Sequence, residues 1–375
     1  MGDSKIKVLH IMSSLNASGG VTAVVKNYFE EIDASKFSFD IAYFLDVKDN
    51  LSDYFTSKNV GLYKFDKLKL INANKIINQL KDIIVKSNCD IIHLHMPILH
   101  YFVKKAKKLA EQTMNNKSIK LIQSAHGSKL SHFLIRSLRN KFLIIGAPKN
   151  TDKLLACSKQ AGKKFFGKTF VKSGEVWYNA INLERYKKQE NAEIENLKKE
   201  LGLKNEKVFC HIGRICKQKN QKFLIDVFDE IVKREPNSVL LLIGGGSGEY
   251  LNFVKQKVKM LGLTEKVKFL GSRPDVNNLL NLSHCMIFPS IEEGLGIVLI
   301  EAQVSKTLCF ASDVCPEETN MSNLINYISL KKPAKHWAEI ILNTNYPQKV
   351  QVDVDNWDIK KQIKTLEKIY MDVLN

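Results

Sequence analysis

An apolar run, a glycine loop and a helical stretch follow one another repeatedly along this chain, and this alternation limits the fold more than any other feature. The first instance is the run Lys5–Met12, which leads through Gly19 and Gly20 into a segment with apolar residues at helical spacing. Short apolar runs predict buried strands, and apolar positions three or four residues apart predict helices. Strands that alternate with helices favour an α/β domain built on a parallel sheet.

The alternation comes in two blocks, with a polar stretch over residues 182–205 between them. Apolar runs that predict strands lie at Phe39–Phe44, Ile83–Leu94, Ile119–Ser124, Leu154–Cys157, Val208–Ile212, Val239–Ile243, Val267–Leu270, Cys285–Phe288 and Thr307–Ala311. At 375 residues the chain is too long for one ordinary core. We therefore predict two doubly wound domains, residues 1–182 and 183–355, that face a common cleft. A terminal helix over residues 356–375 is expected to pack back on the first domain.

The composition, with 44% hydrophobic and 26% charged residues, is typical of a soluble globular protein. No apolar run reaches the roughly 18 residues of a membrane span, and residues 1–5 lead straight into a strand without a secretory signal. We therefore expect a cytoplasmic protein. The seven cysteines are scattered singly, which favours reduced, buried thiols over disulfides or a zinc-binding pair.

The net charge of +18 is concentrated in the first half, where residues 1–180 hold 29 lysines and arginines against 14 acidic residues. Cations are mixed with apolar side chains in Tyr101–Lys108 and in Phe133–Leu143. This composition suits peripheral binding to an anionic membrane at its inner face. Solvated helix faces explain the same charge equally well, so both interpretations stay open.

The segment Phe288–Ala302 carries the strongest functional signal in the chain. A strand ends there, and Gly294 and Gly296 let the backbone approach a ligand before a helix begins. The free amides at the start of a helix make a natural seat for a diphosphate. Glu293 precedes this helix and Glu301 lies about a turn and a half inside it, so the two carboxylates can flank one cavity. One can contact a sugar and the other a ribose.

Two more loops follow strands of the second block. Arg214 and Lys219 lie in the loop after Val208–Ile212, where fixed cations can clamp a diphosphate and stabilise a leaving group without a metal. Gly244 opens a glycine-rich loop that allows a nucleotide to approach closely. The dinucleotide fingerprint breaks there at Glu249, which argues against a nicotinamide cofactor.

Candidates in the first block are fewer. Gly19 and Gly20 can cradle the same phosphates, and His126 follows a strand, although a lone loop histidine is often only structural. His93 and His95 are expected to point to alternate faces of a strand, with one of them in the core. Neither has a metal partner at a suitable spacing, so we predict no metal site.

The segment Gly162–Thr169 matches the phosphate-loop pattern G-x-x-x-x-G-K-[ST] but lies in the wrong context. A phosphate loop starts directly after a strand, whereas Ser158 is placed to cap a helix here. We predict that this segment belongs to an amphipathic helix and that Phe170–Tyr178 is extended. Hydrolysis of a nucleoside triphosphate is therefore not expected.

Taken together, these motifs resemble the family 4 glycosyltransferases, in the branch that makes capsule and exopolysaccharide. In that family the motif near Glu293 usually reads Pro-Ser-x-x-Glu-Gly-Phe-Gly, followed by Glu-Ala at the position of Glu301. The chain departs from the family at Thr22, where a glutamate is usual, and at Lys306, where a glycine is usual. The resemblance rests on Gly19-Gly20, His126, Ala156-Cys157-Ser158, Tyr178–Ile181, Gly213-Arg214, Lys219-Asn220, Phe269–Gly271 and Pro289–Gln303.

The resemblance implies a GT-B fold of two Rossmann-like domains and a retaining transfer that needs no metal or other cofactor. The implied donor is a nucleoside-diphosphate sugar, by default a UDP-sugar carrying a hexose or N-acetylhexosamine. The implied acceptor is a lipid-linked or other glycan of surface polysaccharide synthesis. The residues implied in catalysis are His126, Arg214, Lys219 and Glu293, and those implied in donor binding are Gly19, Gly20, Gly244, Asp275, Gly294, Leu295, Gly296 and Glu301.

Two other functions stay open on the sequence alone. A nucleotide-sugar epimerase of the same architecture would release an isomerised sugar nucleotide in place of a glycoside. A non-enzymatic protein could instead use the +18 charge to bind nucleic acid or membrane. The chain lacks the interleaved surface aromatics of a recognisable nucleic-acid module, and we expect no nucleic-acid partner.

Overall fold

The structure, a computed structural model, describes residues 5–17, 19–48, 50–68, 72–126, 146, 149–186 and 191–375. The chain divides into two compact units. The first unit comprises Met1–Ala180 together with Ile359–Asn375, and the second comprises Ile181–Asp358. The domain boundaries predicted from the sequence, after residues 182 and 355, stay a prediction.

The first unit contains a seven-stranded sheet of order β3-β2-β1-β4-β5-β6-β7, in which every pair of neighbours is parallel. Its strands are β1 (Ile6–Ile11), β2 (Phe37–Tyr43), β3 (Gly61–Lys64), β4 (Ile91–Leu94), β5 (Lys120–Ala125), β6 (Lys153–Ala156) and β7 (Glu175–Val176). Its helices span Gly20–Glu31, Ser52–Ser57, Ala73–Ser87, His100–Thr113, Lys159–Ser173 and Ile359–Leu374.

The last helix, Ile359–Leu374, belongs to the first unit because its apolar side chains recur at helical spacing and are buried there. Ile363, Leu366 and Tyr370 lie in the same core as residues of β1 and β2. Glu367 on this helix accepts a hydrogen bond from the backbone N–H of Asp33 at 2.8 Å. The end of the chain is thus part of the first hydrophobic core.

The second unit contains a six-stranded parallel sheet of order β10-β9-β8-β11-β12-β13. Its strands are β8 (Lys207–Ile212), β9 (Ser238–Ile243), β10 (Val267–Gly271), β11 (Cys285–Phe288), β12 (Leu308–Ser312) and β13 (Ile325–Ile328). Its helices span Asn191–Glu200, Gln221–Val232, Gly248–Met260, Val276–Leu282, Ile297–Val304 and Ala334–Asn343. The central strands β9, β11 and β12 are buried along their whole length, as expected for a sheet covered on both faces.

The structure corrects two details of the secondary structure expected from the sequence. The apolar run Ile83–Leu94 is not one strand, because its first residues end the helix Ala73–Ser87 and only Ile91–Leu94 pairs in the sheet. The residues from Phe170 to Ser173, expected to be extended, continue the helix Lys159–Ser173.

The same helix settles the context of the phosphate-loop pattern. Ser158 Oγ accepts a hydrogen bond from Ala161 N at 3.1 Å and so caps the helix Lys159–Ser173. The segment Gly162–Thr169 lies within this helix, which kinks at Gly167, where φ is +60°. The pattern therefore does not follow a strand directly, and the prediction that it is no phosphate loop is confirmed.

The seven cysteines all lie in the described residues and none forms a disulfide; six are buried and Cys216 is half-buried. Their burial agrees with the prediction, and their reduced state stays a prediction. In the part of the chain that the structure describes, no helix is both long enough and apolar enough to cross a bilayer.

Candidate active site

The strand order of the second sheet reverses between β8 and β11, which are neighbours although β9 and β10 come between them in the chain. Ligands of doubly wound sheets bind at such a switch point, beyond the carboxyl ends of the strands. The loop after β8 holds Arg214 and Lys219, and the loop after β11 holds Glu293. Topology alone therefore brings these predicted site residues to one edge of the sheet.

Hydrogen bonds join the two loops directly. The backbone N–H of Ile291 donates to the carbonyl of Gln218 at 2.8 Å, and Gln218 Nε2 donates to the carbonyl of Glu292 at 2.9 Å. These contacts fix the loop after β8 against the loop after β11, so the side chains that the two loops carry have a defined spacing.

Lys219 and Glu293 form an ion pair at the centre of this arrangement. Lys219 Nζ lies 2.6 Å from Glu293 Oε1, and the two side chains are only 16% and 7% exposed. The same ammonium lies 4.4 Å from the centre of the Phe288 ring, which attracts cations through its face. Lys219 is thus held in place by a carboxylate and an aromatic ring, and Glu293 shares its cation with any anion that binds there.

Gly296 begins the helix Ile297–Val304 in a left-handed conformation, with φ of +81°. A side chain is rarely tolerated at this φ, and a Cβ there would also lie 3.4 Å from Leu299 Cδ1. The glycine lets the chain turn from the buried residues Gly294 and Leu295 directly into the helix. The helix therefore starts directly after the loop that carries Glu293, and the amides at the start of a helix are groups that can bind an anion.

Glu301 lies inside this helix and is held by Tyr186. The Tyr186 hydroxyl donates a hydrogen bond to Glu301 Oε1 at 2.7 Å. Burial raises the pKa of Glu301, while this hydrogen bond and the nearby Arg185 oppose the rise. The carboxylate therefore has a fixed orientation. Because Tyr186 and Arg185 offset only part of the cost of burying its charge, the carboxylate can accept further hydrogen bonds from hydroxyl groups of a ligand.

Gly244 follows β9 and packs against the loop after β8. A Cβ at Gly244 would lie 2.3 Å from the carbonyl oxygen of Gly213, so no larger residue fits without moving the backbone. Hydrogen bonds from Gly213 N to Ile243 O and from Ile215 N to Gly245 O, both 2.8 Å, continue this contact. Gly244 therefore shapes the loop that carries Lys219.

The two remaining predicted residues of the second unit differ in setting. Arg214 is exposed, and its carbonyl accepts a hydrogen bond from Gln221 Nε2 at 3.0 Å. Asp275 is held by Arg273 through two hydrogen bonds of 2.8 and 2.7 Å, which lower the pKa of its carboxyl group. The Asp275 carboxylate thus already has a structural partner.

In the first unit the predicted residues lie at the corresponding switch point, between β1 and β4. Gly19 and Gly20 begin the helix after β1, and Thr22, the departure from the family pattern, is buried with its hydroxyl donating to Ser14 O at 3.1 Å. His126 directly follows β5, the neighbour of β4. The basic segment Phe133–Leu143 lies outside the described residues.

The expectation for His93 and His95 was wrong. Residues two positions apart on a strand share a face, and both side chains are buried. Nitrogens of His10, His93 and His95 lie within 4.8 Å of one another, so these histidines do have partners. Both ring nitrogens of His93 are taken, by the Tyr370 hydroxyl and Ser124 Oγ at 2.7 Å each. A metal ion would have to break such bonds, and the prediction of no metal site stands as a prediction.

Sequence reasoning missed two residues of these sites, Tyr186 and His10. Tyr186 lies 115 positions before its partner Glu301, and His10 lies 85 positions before its partner His95. Neither stands in a motif. The one signal for His10 is a polar residue inside an otherwise apolar strand, which calls for a buried partner.

The comparisons with known families agree with this geometry. Residues 18–185 match the family described as Glycosyltransferase Family 4, and residues 193–342 match the family described as Glycosyl transferases group 1. The chain is a family 4 glycosyltransferase. It is therefore a retaining, metal-independent enzyme that uses nucleotide sugars, as this family does.

Individual relatives cover nearly the whole chain. The capsular polysaccharide biosynthesis glycosyltransferase CapH of Staphylococcus aureus is 27% identical over 98% of this chain and 99% of its own length. The UDP-Gal:alpha-D-GlcNAc-diphosphoundecaprenol alpha-1,3-galactosyltransferase of Escherichia coli is 24% identical over 99% and 98%. The crystal structure of Anabaena HepE in complex with UDP and glucose covers 98% of this chain and 96% of its own, with a TM-score of 0.73 and 18% identity. This likeness confirms the GT-B fold.

Proposed function

We propose that this glycosyltransferase moves a hexose or N-acetylhexosamine from a UDP-sugar to a lipid-linked or glycan acceptor of surface polysaccharide. The relatives CapH and the Escherichia coli galactosyltransferase support the acceptor class, because the first is named for capsule synthesis and the second for a diphosphoundecaprenol substrate. The HepE complex with UDP and glucose supports the donor class. The observation that carries the proposal is the buried Lys219–Glu293 pair beside the helix start at Gly296.

The proposed roles of the residues are those that the family resemblance implies, and their charges and positions support them. Lys219 and Arg214 stabilise the diphosphate, both in the bound donor and as negative charge develops on the leaving group. The helix amides after Gly296 bind the same region of negative charge. Glu293 and the backbone of Gly294–Gly296 bind the sugar, and Gly244 and Asp275 line the nucleotide side.

In the transfer itself, no metal neutralises the leaving group, so fixed protein charges must do so. The diphosphate competes with Glu293 for the Lys219 ammonium. Because the diphosphate carries more negative charge than one carboxylate, it weakens the ion pair between Lys219 and Glu293. Glu293 then becomes free to accept hydrogen bonds from sugar hydroxyls. Glu301 accepts from the ribose, Gly19 and Gly20 contact the phosphates, and His126 supports the reacting face of the sugar.

A screen by thermal shift tests the donor assignment. UDP should raise the unfolding midpoint more than ADP or GDP at equal concentration, because a ligand that binds the native state stabilises it. Lys219→Met should remove most of this shift. Lys233→Met is the matched control, since Lys233 is an exposed lysine of the same unit that pairs with Asp229 and Glu230. An equal shift for all three nucleotides would contradict the choice of UDP.

Product analysis tests the reaction. With a UDP-sugar and a polyprenyl-diphosphate-sugar acceptor, the enzyme should release UDP and form a longer glycolipid with the anomeric configuration retained. Release of an isomerised UDP-sugar with no glycoside would instead identify an epimerase and contradict the proposal.

We also propose that the first unit binds an anionic membrane surface. The helix His100–Thr113 carries four lysines within five residues and has Tyr101 43% exposed and Leu109 39% exposed. Such a mixture of cations and apolar side chains lies favourably at a lipid interface. At low salt the protein should sediment together with phosphatidylglycerol vesicles. It should not sediment with phosphatidylcholine vesicles. Absence of binding to both would mean that the lysines only face solvent.

A further inference from the structure

A chain of three hydrogen-bonded imidazoles crosses the carboxyl ends of the central strands in the first unit. His10 Nδ1 lies 2.9 Å from His95 Nε2, and His95 Nδ1 lies 2.9 Å from His126 Nε2. His10 is on β1, His95 directly follows β4 and His126 directly follows β5. These strands are adjacent in the order β1-β4-β5, so the chain spans the switch point of the sheet.

Each imidazole in this chain is neutral. Burial lowers the pKa of His10 and His95 well below the ordinary value, and it lowers the pKa of His126 to about 4. A neutral imidazole carries one N–H and one bare nitrogen, which donate and accept respectively. His95 uses both nitrogens within the chain, so it donates to one neighbour and accepts from the other.

This constraint leaves two proton orders for the whole chain. In the first, His10 Nδ1–H donates to His95 Nε2 and His95 Nδ1–H donates to His126 Nε2, which leaves the proton of His126 on Nδ1. In the second, all three donors are reversed and the proton of His126 is on Nε2. The proton position on His126 is thus coupled to that on His10, although the two residues do not need to touch.

The ends of the chain favour the first order. Among the described residues, His10 Nε2, His126 Nδ1 and Asn179 Oδ1 are buried atoms without a well-formed hydrogen bond. Burial lowers the pKa of His126, and the neighbouring Asn179 side chain opposes part of this lowering. Because His126 Nδ1 and Asn179 Oδ1 are both buried and unpaired, an N–H on His126 Nδ1 is the arrangement that offers this amide oxygen a donor. At the other end, the first order leaves His10 with a bare acceptor nitrogen, which is tolerated in a core better than an unpaired N–H.

We propose that His95 and His10 are positioning residues that hold the proton of His126 on Nδ1, so that His126 presents a hydrogen-bond donor at that nitrogen. The inference rests on the proposed function only where it concerns turnover, because the proton order is a property of the free protein. His93 is excluded from the chain, since its two nitrogens bond to Tyr370 and Ser124.

Two substitutions of His95 test its two hydrogen bonds one at a time. An asparagine amide occupies the place of Nδ1 and a glutamine amide that of Nε2. His95→Asn therefore keeps a donor toward His126 and loses the contact with His10, whereas His95→Gln keeps the contact with His10 and loses that with His126. His100→Asn is the matched control, because His100 is a buried histidine that bonds to Gln123 and not to the chain.

The experiment is ¹⁵N NMR of the full protein labelled at histidine, at pH 7, with His126 assigned by its substitution. We expect His126 in the Nδ1–H form in the wild type and in the His100→Asn control, and a mixture of both forms in His95→Gln. His95→Asn should keep the Nδ1–H form. A wild-type His126 protonated on Nε2, or an unchanged His126 in His95→Gln, would overturn the proposal. Unchanged signals of His100, a buried histidine of the same unit that bonds to Gln123, verify in the two His95 variants that the core has folded.

Turnover gives the second readout. With whichever UDP-sugar releases UDP in the donor screen, His95→Gln should lower kcat by about tenfold and leave the donor KM within about twofold. An unchanged kcat beside an altered His126 signal would overturn the positioning role. If no UDP-sugar is turned over at all, the proposed function fails while the NMR result still decides the proton order.

Discussion

Lys219→Met should destabilise the second unit because it leaves Glu293 buried without a cation. At the 2.6 Å separation of the charged atoms, the attraction is about 6 kcal/mol with an effective dielectric constant near 20. The desolvation of both groups offsets much of that attraction. Removal of one partner of a buried pair typically costs 3–5 kcal/mol, and the 16% exposure of Lys219 places our expectation at about 3 kcal/mol. Methionine keeps an unbranched side chain over the Phe288 ring, so packing is largely retained.

A double-mutant cycle in urea at pH 7 measures the pair itself. Glu293→Gln should cost less than Lys219→Met, about 1–2 kcal/mol, because the freed ammonium can extend toward solvent. The double variant should be less destabilised than the sum of the two singles, by about 2 kcal/mol, since it leaves no unpaired charge. Lys233→Met, which removes an exposed lysine of the same unit, should leave the midpoint unchanged.

Additive single-variant effects, with a coupling below about 0.5 kcal/mol, would refute this reasoning. Ligand binding adds an independent check on the same variants. Lys219→Met should weaken UDP binding about tenfold or more, because a charge-assisted contact to a phosphate is lost. Glu293→Gln should hold or strengthen UDP binding, since Lys219 no longer has a competing carboxylate. Equal weakening by both variants would mean that Glu293 does not compete with the diphosphate.

Three further predictions concern stability. Lys306 has a φ of +58°, which is a strained conformation for a residue other than glycine. Lys306→Gly should raise the free energy of unfolding, measured in urea, by roughly 0.5–1 kcal/mol, because the strain that is relieved exceeds the freedom that glycine adds to the unfolded chain. A loss of stability would contradict this reason. Burial lowers the pKa of His211 to about 4 from an ordinary 6.5. The contribution of neutral His211 to the free energy of unfolding is therefore complete above pH 6.5. It is lost as the pH falls toward 4, at up to about 1.4 kcal/mol per pH unit. His211→Asn, which keeps a donor toward Ile287 O, should flatten this slope in denaturation curves taken between pH 7 and 4, and an unaltered slope would oppose the assignment. The raised pKa of Glu301 means that its charged form is unfavourable in the folded protein. Glu301→Gln should therefore raise the thermal midpoint at pH 7, by an amount that becomes smaller in acid, and should weaken UDP binding. A lower midpoint at pH 7 would show that Tyr186 compensates the charge fully.

The central strands could be predicted from the sequence because a strand that is buried on both faces is a continuous run of apolar residues. Strand β11 spans Cys285–Phe288, as predicted, since four buried apolar residues end at Pro289. The strands Gly61–Lys64 and Ile325–Ile328 were not predicted. Both lie at the edges of their sheets, and most of their residues are only half-buried. An edge strand has fewer neighbours to cover it, so its sequence lacks a continuous apolar run.

The run Ile83–Leu94 was misread for a different reason. Its first residues are buried on a helix and its last are buried on a strand, and both appear as apolar letters. The break between them is Asn88, which ends the helix in a left-handed conformation with φ of +50°. Asparagine tolerates that conformation, so the signal was present in a single residue and not in the periodicity.

For the site, the sequence predicted which loops carry it but not which side chains pair. Arg214, Lys219 and Glu293 follow strands, and the reversal of strand order brings such loops together in any doubly wound sheet. The pairing of Lys219 with Glu293 joins residues 74 positions apart, and no local spacing encodes it. The histidine chain was hidden for the same reason, because His10 lies 85 positions before His95.

The two switch points share a topology but differ in their chemistry, and this difference has a measurable consequence. The second unit presents an ion pair, Lys219 with Glu293, whereas the first presents neutral imidazoles linked through His95. A contact between a cation and a diphosphate weakens with ionic strength, while hydrogen bonds between neutral rings do not. Added salt should therefore weaken UDP binding to the wild type more than to Lys219→Met. The effect of His95→Gln should not depend on salt, and a common salt dependence would mean that both sites act through charge.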